Sequence, residues 1–442
     1  MVFASSYRSR LVKFLIFEIN FLNLKRYPNL LCFAAVISLS SASSFTQLRV
    51  FANSEGGQAI YTHWYIFIPL RKIVMATLPL SGIRVLSLAE QYPGPYATML
   101  LADLGADVIL VERPGTGDPS RRFPGLFASF NRNKRSVALD LKSEQGRNDF
   151  LALVDTADAV IEGFRPGVMS RLRLDSATLR ARKPSLICAS ISSFGQNGPM
   201  ASVAGHDLSI QAAAGMINVH PGQEAAYALP VLPLADIASA MFAALGVVTA
   251  LFARASSGKG ASIDVSMLDS LVSWMTPALV PPLNDLPTRP LPPLDPGYGL
   301  FATRDGRQIT LSIAGEDSMW KALCEILDLP QFEHLSEEHR SLRAKEIDPV
   351  LRTAIAGQAY EIFYQQLESK GIAFGPVLNL QEVLNDPQMR ARGITRSVTG
   401  PAGIQTFVGQ PLAFEGMQTV ITRPAPTLGE HNGELLSHAD ST

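Results

Sequence analysis

Charge and sulfur are both scarce in this chain. Of its 442 residues 17% are charged, and the formal net charge is -1. A near-neutral chain has no overall field with which to hold a polyanion, so nucleic acid is not expected as a partner. Three cysteines, Cys32, Cys188 and Cys324, are odd in number and far apart. That pattern argues against a disulfide framework and for reduced thiols in a cytoplasmic compartment. The histidines form no HExxH or comparable spacing, so no metal site is expected. No GxGxxG follows the first α/β strand, which removes the usual backbone cradle for a dinucleotide pyrophosphate. The first 74 residues hold no apolar run of the ~20 residues that would span a membrane, and no membrane partner is expected.

Against these absences stands a hydrophobic content of 47%, ample for a large core and two or three domains. The first 74 residues are unlike the rest. They carry eight Lys/Arg and two acids, are rich in serine, and have apolar runs at 14–22 and 30–39. Segment 1–74 therefore reads as a leader. A regular α/β pattern opens right after Met75 (MATLPLSGIRVLSL), which favours a true start at Met75 with upstream over-translation. A targeting segment or an extra element are the alternatives.

From there the chain alternates. Residues 83–88 (IRVLSL) read as a buried strand, 94–104 as a helix closed by Gly105, and 107–111 (DVILV) as a second strand. Strand-like 136–141, helical 144–156, strand-like 159–162, helical 175–181 and strand-like 185–191 continue the rhythm. The alternation implies an open, mostly parallel, doubly wound α/β sheet. A long apolar helix follows at 236–253. Eight prolines between Pro277 and Pro296 predict an extended linker without helix. Residues 297–313 read as a hairpin turning at Asp305-Gly306. Helices are expected at 318–327, 342–356 (restarting at Pro349) and 359–369, and the chain is expected to be irregular and strand-like from about Asp386. The resulting domains are a large one at 75–276, a linker at 277–296, a small α+β domain at 297–385 and a C-terminal segment at 386–442.

Two regions carry candidate chemistry. Glu112 ends the second strand, where an acid would meet a ribose. It is followed by Arg113, Arg121, Arg122, Arg132, Lys134 and Arg135. Such a cation cluster suits a phosphorylated nucleotide, although a solvated loop explains any single arginine. The second region joins AGHDLSIQ (204–211) to PLADIASAMFAAL (233–245). Asp236 reads first as the N-cap of the long helix and His206 as a satisfied core residue. Together they allow more. A carboxylate at a helix N-terminus is expected to stay ionised and to serve as a nucleophile toward a thioester, with a nearby histidine able to move a proton.

From Leu80 onward the chain resembles the family III CoA-transferases, a superfamily that includes formyl-CoA transferase, carnitine CoA-transferase and alpha-methylacyl-CoA racemase. The motifs are GPYATMLLADLGADVILVERPGTGD, NRNKRSVALDL, EGFRPGVMSRL, SSFGQNGP, GHDLSIQAAAG, PLADIASAMFAALGVVTALFARASSGKGASIDVSMLDS, GIAFGPVLNLQEVLNDP and LGEH. The resemblance implies a Rossmann-like large domain completed by the C-terminal segment, an inserted smaller α+β domain, and an interlocked homodimer. It implies a coenzyme A thioester as substrate and a small carboxylic acid as its partner, with no covalently bound cofactor. Arg113, Leu139, Phe164, Arg165 and Arg171 then correspond to CoA contacts. Gly163 stands where the family often has Asn, and Arg173 where it usually has Gly. Asp236 corresponds to the catalytic aspartate, which would form an acyl anhydride and then an aspartyl-CoA thioester. His206 in a GHD motif, with Glu316 ahead of Trp320, resembles the racemases instead, in which His and Asp act as opposed bases on the α-carbon.

Overall fold

The computed structural model describes residues 78–217, 232–287, 295–401, 403–415, 417, 419 and 421–436, and, before these, the backbone of three strands. The chain divides into two compact units, Met1–Ala76 and Thr77–Thr442. The first holds strands β1 (Phe33–Ser38), β2 (Gln47–Ala52) and β3 (Ile60–Trp64), paired antiparallel in that order. Met75 and Cys32 lie outside the described residues.

In the second unit, six strands form one parallel sheet: β4 (Arg84–Ser87), β5 (Asp107–Glu112), β6 (Arg135–Ala138), β7 (Ala159–Glu162), β8 (Ile187–Ser192) and β9 (Ser262–Ser266). Their order is β6-β5-β4-β7-β8-β9. Counted from the first strand this is 3-2-1-4-5-6, so the direction of winding reverses between β4 and β7. In such sheets the ends of the two central strands part at this point and leave a crevice beyond their carboxyl ends. The inner strands β4, β5, β7 and β8 are covered on both faces, which is why they read as nearly unbroken apolar runs. One face packs Val85, Val108, Ile161 and Ile187 under the helices Pro93–Asp103 and Leu234–Ser257. The other packs Leu86, Ile109 and Val160 under Phe150 and Leu179.

The helix Pro93–Asp103 sits so close to β4 that a Cβ added to Gly94 would stand 1.9 Å from the Ala89 Cβ. The 24-residue helix Leu234–Ser257, mean hydropathy 1.9, is long and apolar enough to cross a membrane by length and composition alone. Its buried face, however, consists of Ala235, Ala238, Ser239, Ala240, Ala243, Ala244 and Val247, small side chains that let it lie close against the sheet and its neighbours. A third core is built wholly from residues 301–374. It unites the hairpin β10 (Tyr298–Ala302) and β11 (Gln308–Ser312), edge strand β12 (Phe374–Pro376) and three helices, Asp317–Leu327, Ala344–Ala356 and Tyr360–Ser369, around Trp320 and Phe363. The last segment returns to the parallel sheet. His431 N–H donates to the Ser136 carbonyl (3.0 Å), and Ala138 N–H to Asn432 Oδ1 (2.9 Å).

Three expectations are corrected. The proline-rich stretch contains a helix, Thr276–Leu283, with Pro281 and Pro282 inside it. Proline removes a donor but keeps a helical φ, so two turns with Pro277 near the start survive. The helix Ala344–Ala356 runs through Pro349 without restarting. The break comes earlier, at Arg343, after the helix Glu337–Leu342. Beyond Asp386 the strand-like expectation holds in the hairpin β13 (Thr395–Gly400) and β14 (Gly403–Val408), but a helix, Pro387–Arg392, capped by the Asp386 carboxylate, comes before it.

Candidate active site

The crevice at the reversal point holds a cavity of about 310 Å³. Its wall comes from the loop after β4 (Ala89 to Gly94), the loop after β7 (Gly163 to Pro166), the end of β8, and the residues just before the helix Asp207–Ala213. Asp236 and His206, 30 positions apart in sequence, line it together with Phe164 and Arg165.

Asp236 is not the cap of its helix. The helix begins at Leu234, which makes Asp236 the third helical residue. The capping acceptor comes from another element: Asp207 Oδ1 receives Ala235 N–H at 2.7 Å and Asp236 N–H at 3.3 Å. Asp207 Oδ2 also holds Gln211 Nε2 at 2.6 Å. The Asp236 carboxyl is thereby released to face the cavity. Its expected full ionisation is also corrected. Burial, reinforced by the Asp207 charge, pushes Asp236 up to about 7. The positive end of the helix works the other way, but a half-buried carboxylate beside a like charge resists losing its proton. His206 is exposed, and its backbone N–H donates to Ser209 Oγ (3.0 Å).

Four of the six cations in the cluster are tied into the fold, while Arg113 and Arg122 stay exposed. Arg121 makes two 2.7 Å bonds to Glu112, Arg132 pairs with Asp103 (2.7 Å), and Arg135 binds Asp107 and Glu434. Lys134 is fully buried, its three donors satisfied by the Pro95 carbonyl, Thr98 Oγ1 and Asn131 Oδ1. These cations brace the fold. Glu112 likewise is closed to a ribose, taken up by Arg121, Ser136 Oγ and the Asp118 N–H. Arg113 remains at the surface, 3.0 Å from Glu90.

Of the other sequence candidates, Leu139 is buried in the core of the sheet. Arg171 is exposed, in the short helix Val168–Arg171. Glu316 is exposed, and its carboxylate receives the Ala314 N–H at the start of the helix Asp317–Leu327; it does not line the cavity. A Cβ at Gly163 would come within 3.2 Å of the Ala89 Cβ, so the loops after β4 and β7 touch here. Arg173 adopts a φ of 60°, the conformation that suits glycine. A larger cavity of about 410 Å³ shares Arg165 but not Asp236. It holds Cys188, whose thiol burial pushes up to about 11, far from a reactive thiolate. Sequence reading missed Asp207 and Tyr92. The first was visible as the neighbour of His206, but its capping contact spans 28 residues.

The sequence profile of CoA-transferase family III matches residues 80–432. The chain belongs to this family. A probable fatty acyl-CoA transferase of Mycobacterium tuberculosis, Rv3272, is 34% identical over 81% of this chain and 98% of its own length. An acetyl-CoA:oxalate CoA-transferase of Acetobacter aceti is 32% identical over 81% of this chain and 95% of its own. Among solved structures, a CAIB/BAIF family protein from Brucella suis superposes with a TM-score of 0.72 at 27% identity, over 82% of this chain and all of its own. The protein is therefore an enzyme, a CoA-transferase of family III acting on acyl-CoA, with a mixed α/β fold built on a six-stranded parallel sheet. The transferase names of these relatives do not favour the racemase reading of His206 and Asp236.

Proposed function

We propose that this family III enzyme moves coenzyme A from an acyl-CoA to a small carboxylic acid through covalent adducts on Asp236. The observation that carries the reading is the placement of one half-buried carboxylate, held off its own helix cap by Asp207, on the wall of the crevice cavity. The ionised Asp236 attacks the thioester carbonyl, the C–S bond breaks, and CoA leaves as a thiolate while an acyl-aspartyl anhydride remains. The thiolate then attacks the Asp236 carbonyl carbon and releases the acyl group as its acid. The acceptor carboxylate attacks the aspartyl-CoA thioester, and a last exchange returns CoA to the acceptor. Burial that raises the pKa also makes the carboxylate a more basic nucleophile. Substrate filling the cavity would displace water and slow hydrolysis of both adducts.

Phe164 and Arg165, which line the cavity, support a CoA path past this wall, with the exposed Arg113 and Arg171 along its outer course and Leu139 buried beneath it. A homodimer is part of the same reading. Met241, Leu245, Val248 and Phe252 recur at helical spacing on the outer face of Leu234–Ser257, and Phe252 is 83% exposed. A second copy would cover such a stripe.

The test is transfer with trapping. The purified chain is incubated with succinyl-CoA and a panel of carboxylic acids, with hydroxylamine added during turnover. CoA is expected on an acid, and mass spectrometry is expected to find a hydroxamate at Asp236. Transfer that proceeds without any Asp236 adduct, or no transfer across the panel, overturns the reading.

A further inference from the structure

We infer that Tyr92 is a catalytic residue, its phenol donating a hydrogen bond to the thioester oxygen as Asp236 attacks. The inference deepens the transfer reaction proposed above and rests on it. The two residues line the same cavity, one from each side of the reversal point.

Tyr92 stands where a helix would ordinarily place a cap. It immediately precedes Pro93–Asp103, yet its side chain makes no capping hydrogen bond. Ser, Thr, Asp or Asn would serve the helix better there. The ring is fixed instead by aromatic neighbours. It meets Phe130 edge-on at 4.5 Å between centroids and Tyr96 at 6.4 Å. The backbone that delivers it is strained: Gln91, just before it, has a φ of 67°. Non-glycine residues rarely adopt that conformation, and it persists only where the surroundings impose it. Here they do. The Gln91 N–H donates to both oxygens of Asp118 (3.0 and 3.2 Å), the Asp118 N–H donates to Glu112 (3.0 Å), and Glu112 is locked by Arg121. A buried chain of polar contacts thus bends the loop after β4 so that Tyr92 borders the cavity.

The phenol suits donation. Burial, and after it the charge of Asp236, raises the Tyr92 pKa above its usual value, so the hydroxyl keeps its proton at neutral pH. During attack a bond forms between an Asp236 oxygen and the acyl carbon, and the carbonyl π pair moves onto the thioester oxygen. When that pair returns, the C–S bond breaks and CoA departs as thiolate. Tyr92 transfers no proton. It stabilises the transient negative oxygen, an interaction stronger in the transition state than in the bound substrate.

Tyr92→Phe in the full chain keeps the ring packing and removes only the donor. The kcat for CoA transfer is expected to fall by about 10- to 100-fold, with KM for acyl-CoA within about twofold and the oligomer unchanged. Tyr92→Ala, which also removes the ring, is expected to lose stability as well. A kcat for Tyr92→Phe within twofold of the parent overturns the inference while leaving the Asp236 adduct intact. A second readout needs no turnover. The Tyr92 ionisation is isolated by ultraviolet difference titration against Tyr92→Phe, with and without Asp236→Asn. Removing the Asp236 charge is expected to lower the Tyr92 pKa. An unmoved titration shows that the two groups do not face each other and overturns the inference even if the transfer reaction itself is wrong.

Discussion

Two carboxylates on this sheet began with similar sequence credentials and ended with opposite physics. Glu112 ends β5, and Asp236 lies in the first turn of a helix beside the crevice; both are withdrawn from solvent. Burial alone would raise the Glu112 pKa, but Arg121, Ser136 and the Asp118 N–H hold it below the usual carboxylate range. Asp236 makes no ion pair among the described residues. Burial and the Asp207 charge carry it up to about 7. The difference lies in the partners. A carboxylate whose lone pairs are all engaged is a structural brace, and one left facing a cavity beside a like charge is poised to react.

The comparison breaks most sharply by substitution. Asp236→Asn is expected to lower CoA transfer by at least about 10³-fold, read as kcat with any competent acyl donor. The same change is expected to stabilise the fold at pH 8. Asp236 has a folded pKa above its unfolded value, so the folded state holds the proton more tightly and ionisation costs stability. That cost grows from about pH 4 to pH 7 and has a ceiling of about 4 kcal/mol. Thermal midpoints of the two proteins should therefore converge at pH 4 and separate at pH 8. Glu112→Gln should do the reverse. It leaves the half-buried Arg121 without its charge partner and should cost about 2 kcal/mol at pH 7, seen as a lower urea midpoint. With a folded pKa below the unfolded one, the Glu112 contribution is present above the unfolded pKa of ~4.5. It is lost as pH falls through the folded value, so the penalty shrinks in acid.

A smaller effect separates the two causes of the Asp236 shift. The nucleophile is the carboxylate, so kcat/KM is expected to rise with pH with a midpoint near 7 for the free enzyme. Asp207→Asn keeps an Oδ1 to accept the Ala235 N–H and removes the like charge. The midpoint of the acid limb should move to lower pH. A midpoint that stays in place would assign the whole shift to burial.

Much of the frame was legible in the sequence, and little of this contrast was. IRVLSL, DVILV and SLICASI announce strands buried on both faces, and the alternation announces a parallel sheet. That β4 lies between β5 and β7 depends on pairing, which no local run encodes. The arginines between 113 and 135 looked like a phosphate site because their partners lie elsewhere: Asp103 is 29 residues from Arg132 and Glu434 is 299 from Arg135. Asp236 and His206 were visible as a pair, but the environment of Asp236 is set by Asp207 across a long gap. In the sequence the loop after β4 stands out only by its lack of a GxGxxG. Its strained Gln91 could not be seen there, because residue type alone argues against a positive φ at that position.

Arg173 extends the lesson to a charge that belongs to neither network. It is exposed, it makes no ion pair among the described residues, and its backbone sits at a φ of 60°. Its N–H donates to the Ser170 carbonyl at 3.0 Å, closing the short helix Val168–Arg171 in the left-handed turn usual for such ends. For an L-residue with a Cβ that turn costs ~1 kcal/mol or more, and glycine adopts it freely. If roles follow partners, the guanidinium is dispensable and only the strain remains. Arg173→Gly is then expected to raise the thermal midpoint by about 1–3 °C, the modest shift that ~1 kcal/mol produces in a unit of this size. A fall in stability, or a rise in KM for acyl-CoA with the fold intact, would mean that the side chain has a partner outside the single chain.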